Sequence, residues 1–235
     1  MTNPRGTTRA VALALVVIAV LIAIAAAAVP VYVQTRLAAA LRASLGARRV
    51  AVTVRAGPRA ALAGRFDRLI LTAEEFRAGA LPIQRLHADL TGVELDRGRL
   101  QKGGELVLRH LEAGTAEATV TEAGLQEFLA SGGTLHNVQV RLAGGEATVR
   151  GTIRILAADV SAMMRGTFVI RDGRRVVFQV REISIGNIPL APDIGRALSA
   201  AMNPLVTADD FPIPLRFTEV SASDGELVLR AEAAR

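Results

Sequence analysis

The 235-residue chain has no cysteine and no tryptophan, and only one lysine, one tyrosine and seven phenylalanines. The missing cysteine excludes disulfides, thiolate zinc sites, iron–sulfur clusters, a cysteine nucleophile and a lipid-modified N-terminal cysteine. Scarce aromatics, all but Tyr32 of them phenylalanines on mostly apolar patterns, argue against a nucleic-acid partner, which needs rings to stack bases beside basic groups. The G-x-S-x-G, P-loop, G-x-G-x-x-G and H-E-x-x-H signatures are all absent. His87, His110 and His136 fall in separate strand-like segments, and only His87 has an acid, Asp89, on the same strand face. The adjacent carboxylates Glu74-Glu75 and Asp209-Asp210 diverge on a strand, so a two-carboxylate site would need partners from elsewhere. These groups read as solvated surface, and the residues imply no catalytic site, metal or cofactor.

Lys102 is the sole lysine, so arginine carries the net charge of +6. The arginine bias reads as gene base composition. A basic balance alone fits an anionic membrane or a solvated surface.

What is abundant is aliphatic: 51% of the chain is hydrophobic, too much for a disordered chain. Ala10 to Val33 carries no charge and follows Arg5 and Arg9. As a helix rising about 1.5 Å per residue, it exceeds the roughly 30 Å hydrocarbon core of a bilayer. The expected division is a short cytoplasmic tail over 1–9, a transmembrane anchor over 10–33 and an extracytoplasmic domain over 34–235. The small residues Ala25 to Ala28 keep a cleaved signal peptide, and hence a secreted domain, as the alternative. Arg36, Arg42, Arg48 and Arg49 beyond the span oppose this orientation, but long following domains translocate largely regardless of such charges.

After the span, Leu37, Leu41 and Leu45 recur every four residues, the stripe of a helix over Gln34 to Leu45. The period then drops to two. Val50 to Val54, Phe66 to Thr72 and Leu81 to Leu95 read as strands, with a phase change at Gly92 that points to a bulge. Gly114 to Val120 continues the pattern, and Thr121 caps a short helix over Glu122 to Ala130. A meander follows. Val138, Val140 and Leu142 alternate with polar residues, Gly144-Gly145 turns the chain, and Val149 to Ile155 runs back. Val160 to Ile170, the turn Asp172-Gly173 and Val176 to about Ile185 complete it. Asp193 to Asn203 reads as a helix. Phe211 to Ser221 and Leu227 to Ala233 form a last hairpin across Asp224-Gly225, its prolines marking an edge strand.

Strands of ten residues or more exceed the usual five or six, and a sheet of them with one apolar face must bend around something. The expected fold is therefore α+β, built on a long curved antiparallel sheet. Either helices fill the concavity, or the filling is incomplete and an apolar cleft accepts acyl chains. The candidate lining residues are Ile153, Ile155, Met164, Phe168, Ile170, Phe178 and Val180. Arg150, Arg154 and Arg165 stand on the opposite face, as headgroup contacts at the sheet edge or as solvated charges.

Three segments then carry a family resemblance: ALAGRFDRLILTAEEFRAGALPIQRLHADLTGVELDRGRL at 61–100, GTAEATVTEAGLQEFL at 114–129 and FPIPLRFTEVSASDGELVLRAEA at 211–233. In order and spacing they resemble the LmeA-like family of envelope proteins, over about Leu37 to Ala233. The resemblance implies a bacterial phospholipid-binding protein on the outer side of the cytoplasmic membrane. It also implies a tubular lipid-binding-like fold, a long curved antiparallel β-sheet wrapped around a helix, and it brings no catalytic motif that maps onto this chain. The function expected is to hold or transfer phospholipid, anionic to match the net positive charge, in an apolar groove, in support of envelope maintenance. The alternative is an envelope scaffold that binds membrane enzymes instead of lipid.

Overall fold

The period-two segments form thirteen strands among the described residues, arranged in two antiparallel sheets. The protein is represented by a computed structural model that describes residues 34–43, 45–96, 98, 107–133, 135–155, 158–186, 188–189, 202–211 and 213–234. The strands are β1 (Arg49–Arg55), β2 (Arg65–Ala78), β3 (Leu81–Leu95), β4 (Leu108–His110), β5 (Ala113–Thr121), β6 (His136–Ala143), β7 (Glu146–Ile155), β8 (Ala158–Arg171), β9 (Arg175–Ile185), β10 (Ile188–Pro189), β11 (Val206–Thr207), β12 (Leu215–Ser223) and β13 (Glu226–Ala233). The first sheet runs β1-β2-β3-β5-β13-β12, with β4 on the end of β3. The second runs β10-β9-β8-β7-β6, with β11 also on β9. The single long sheet of the sequence reading is thus two sheets, mostly β with a few helices and curled into a half-barrel.

The helices are α1 (34–43), α2 (Pro58–Leu62) and α3 (Glu122–Ser131). Leu37 and Leu41, the four-residue stripe of α1, are buried in the core that both sheets share. The α2 turn carries its proline in the first turn, where the missing N–H costs nothing. Thr121 caps α3 as its position predicts, its Oγ1 accepting from the Gly124 N–H at 3.2 Å. The segment 10–33 and most of Asp193 to Asn203 lie outside the described residues. Within the described residues no helix is long and apolar enough to cross a membrane.

The long β2–β3 hairpin shows how the first sheet bends. Its side-chain phase breaks at Gly92 (φ +60°), as the pattern predicts. However, β2 breaks phase with it, at Asp67–Arg68, so the register between the strands is kept and the bulge expected at Gly92 does not form between them. A second matched break places Glu75 (φ +53°) opposite Gln84. Paired irregularities of this kind turn both strands together and increase local twist without exposing the apolar face.

The sheets meet along β12, an edge strand of the first. The hairpin tips of the second sheet bond to it: Gly145 N–H donates to the Ala222 carbonyl at 2.9 Å, and Phe217 N–H donates to the Gly173 carbonyl at 2.8 Å. Glu122 at the start of α3 closes the junction by accepting the Leu142 N–H at 2.7 Å. The edge that the prolines announce is thereby covered.

Candidate functional site

In the second sheet one face is apolar on every long strand. Direct pairing puts Val140, Val149, Met164 and Ile183 in one row, and Gly151, Ala162 and Ile185 in the next. On β9 a bulge keeps that face continuous. Val180 opposes Gly166 and Glu182 opposes Arg165, so Arg181 is the extra residue. Val176, Phe178 and Val180 therefore share a face with Ile183 and Ile185, not with Glu182. Simple alternation missed this shift. Its signal was the polar pair Arg181-Glu182 inside an otherwise apolar run.

The burial of this wall is uneven. Val140, Leu142, Ala147, Val149, Ala162, Met164, Val176, Phe178 and Ile183 are buried. At the end remote from the hairpin tips, Val138, Ile153, Val160 and Ile185 are half-buried. Phe168, Ile170 and Val180 are half-buried as well, beside the buried Val176 and Phe178. Thus five of the seven candidate lining residues, Met164, Phe168, Ile170, Phe178 and Val180, stand together on β8 and β9. Ile153 extends the same face onto β7 opposite Val160. Ile155 is placed only by its backbone pairing to Ala158, and its side chain lies outside the described residues. No polar or charged residue is buried among the described residues, so the wall offers contact to hydrocarbon and nothing that would fix a polar substrate.

Arg150 and Arg165 are exposed on the opposite face of the same strands. Arg165 lies 3.6 Å from Glu182, its cross-strand partner. The Arg154 side chain is outside the described residues.

The carboxylates singled out from sequence, and His87, are engaged in local pairs. Asp89 bonds not to His87 but to Arg68, which forks onto both carboxylate oxygens from β2, with Nε to Oδ1 at 2.8 Å. This hydrogen bond, with help from the nearby positive charges, holds the Asp89 carboxyl below its ordinary range. His87 instead faces Thr72, with Nδ1 3.3 Å from Oγ1. Glu74 pairs with Arg49 and Glu75 with Arg48, each at 3.0 Å. Asp209 pairs with Arg174 at 2.7 Å, while Asp210 accepts the Thr207 N–H at 2.7 Å. A cleft of about 470 Å³ beside Phe76 and Gly124 has charged walls, but its Arg77 is bonded to Glu127 and its Glu75 to Arg48. Among the described residues no three metal-binding side chains cluster.

Among the described residues, two curled antiparallel sheets share one aliphatic core, one apolar face is half-buried in part, and no polar or charged residue is buried. The chain belongs to the LmeA-like phospholipid-binding family, whose family model matches residues 24–232. That is a lipid-binding family, not an enzyme family. No curated protein and no solved structure matches the chain.

Proposed function

We propose that this protein is a membrane-anchored, extracytoplasmic phospholipid-binding protein that holds or transfers lipid along the inner wall of its second sheet, in support of the cell envelope. One observation carries the reading: on the apolar face of β7, β8 and β9, Val149, Met164 and Phe178 are buried, whereas Ile153, Val160, Phe168, Ile170 and Val180 are only half-buried. A filled core would bury Phe168 and Ile170 as it buries Phe178. Half-covered aliphatic and aromatic side chains in a concave sheet are what acyl chains complete, because covering them removes about 25 cal/mol per Å² of apolar surface from water. Membership in a phospholipid-binding family supports the same ligand class.

The uncharged stretch from Ala10 to Val33 after Arg5 and Arg9 supports an anchor with the domain outside. The net charge of +6 supports a preference for anionic lipid.

The test purifies the full chain in mild detergent, extracts its lipid and quantifies phospholipid per protein. A reporter active only outside the cytoplasm, fused after Arg235, tests the side. Bound phospholipid and an active reporter are expected. Protein free of lipid, or an inactive reporter on intact protein, contradicts the corresponding half of the proposal.

A further inference from the structure

The two sheets differ in charge. The strands of the first carry nine arginines and nine carboxylates, so they balance. The strands of the second carry seven arginines, Arg141, Arg150, Arg154, Arg165, Arg171, Arg175 and Arg181, against only Glu146, Asp159 and Glu182. Alternation sends Arg141, Arg150, Arg165, Arg171 and Arg175 to the outer face, because the inner face is the apolar wall.

Register gathers some of them. Thr148 on β7 lies between Arg141 on β6 and Arg165 on β8, and Arg150 is two residues along β7 on the same face. Arg171 and Arg175 face each other beside the β8–β9 turn. Arg141, Arg150 and Arg171 are exposed and have no acid partner among the described residues. Val169 and Val177 oppose each other in the row next to Arg171 and Arg175, and Met163 opposes Arg150; all three are half-buried. The outer face therefore mixes free guanidinium groups with shallow apolar side chains.

We infer that this outer face of the second sheet is a membrane-docking surface that rests on an anionic phospholipid bilayer. The inference builds on the lipid-binding reading above, and it concerns the back of the sheet whose front is the lipid wall. Guanidinium groups suit phosphate oxygens by geometry as well as charge, and each basic group held near an anionic surface adds to the attraction. Met163, Val169 and Val177 suit the depth of the headgroups, where short apolar side chains leave water. A nucleic acid fits the face less well. It would need rings to stack on, and Phe168 and Phe178, the aromatics of β8 and β9, lie on the inner face.

The absence of cysteine makes the test direct, because one introduced cysteine is a unique label. The full chain carries a fluorophore at Gln139→Cys, beside Arg150 on the outer face of the second sheet, or at Thr115→Cys, exposed on the outer face of the first. Each is placed in nanodiscs containing headgroup-spin-labelled lipid, with phosphatidylglycerol or with phosphatidylcholine alone. The expected result is quenching at position 139 in phosphatidylglycerol discs, its loss as salt rises, and little quenching at 115. Combined Arg141→Gln, Arg150→Gln and Arg171→Gln should reduce the signal at 139 to that at 115, whereas the three Lys replacements should preserve it. Equal quenching at both positions, indifference to salt, or the same signal in phosphatidylcholine discs overturns the inference. So does an oligonucleotide that binds this face without lipid quenching. If the Gln variant fails to fold, the salt response of the parent and the Lys variant decide. Co-purified lipid without quenching at 139 removes the docking surface alone; quenching without co-purified lipid removes the lipid-holding reading alone.

Discussion

Phe168 on β8 stands directly opposite Phe178 on β9, the ring centroids 5.3 Å apart and the planes tilted by 42°. Phe178 is 3% exposed, yet Phe168 is half-buried. One ring belongs to the core and the other to the wall in front of it. Phe178→Ala should cost about 3–5 kcal/mol through lost burial and the cavity left behind. Phe168→Ala should cost less, about 1–2 kcal/mol, because it gives up less buried surface. Denaturant unfolding of both variants, with lipid counted per chain, checks the difference: lipid should fall in Phe168→Ala while its fold survives. Equal stability losses would place both rings in a solid core.

Gly166 lies on the same face between Met164 and Phe168, but it has no room for a side chain. A Cβ there would lie 2.2 Å from the Gln179 carbonyl oxygen on β9, at the bulge. Gly166→Ala should therefore destabilise by about 1–3 kcal/mol or more, because the strand backbone must move. A melting temperature equal to that of the parent would contradict the close approach of β8 and β9. Val160, half-buried opposite Ile153, is the better place to obstruct the wall. Val160→Phe should displace lipid with only a small loss of stability.

Much of this was legible in the sequence. The turns at Gly144-Gly145, Asp172-Gly173 and Asp224-Gly225 and the cap at Thr121 are local signals, fixed by backbone conformations few residues tolerate, and each is found in place. The phase change at Gly92 was legible too. The matching break at Asp67 was not, because it shows only once β2 and β3 are paired. The division into two sheets also escaped the pattern, since alternation tells which face is apolar and not which strands pair. For the same reason the pattern showed Asp89 on the strand face of His87 but not its partner, Arg68, which comes from the strand alongside. On the wall, the sequence marked the apolar face of β8 and β9 but not which of its residues are buried and which half-buried, since alternation does not tell what packs against a face.

Glu122 joins the two sheets through its carboxylate on the Leu142 N–H. Glu122→Ala leaves that donor without its partner at a half-buried junction and should cost about 1–3 kcal/mol. Amide exchange at Leu142 should quicken in this variant while exchange in β2 and β3 stays slow. Unchanged protection at Leu142 would show that the junction holds without the carboxylate.

The Arg68–Asp89 pair predicts an acid-side effect. Because Asp89 titrates below its ordinary value in the folded chain, its contribution to stability is present above the unfolded value of about 3.9 and is lost as pH falls through the folded one. Arg68→Gln should return the Asp89 carboxyl toward the ordinary range, as read by NMR titration. It should also flatten the loss of stability between mildly and strongly acidic solution. The pair is partly exposed, so the effect should be small and should weaken with salt. An Asp89 titration unmoved by Arg68→Gln would contradict the assigned cause.

The measurement that bears most directly on the whole account is photocrosslinking of a phospholipid carrying a photoactivatable group in its acyl chain, in membranes containing the full chain, followed by peptide mapping. The account predicts adducts on inner-face residues of β7, β8 and β9, such as Ile153, Phe168 and Val180, and their loss in Val160→Phe. Adducts confined to the outer face, or none beyond the segment 10–33, would contradict it.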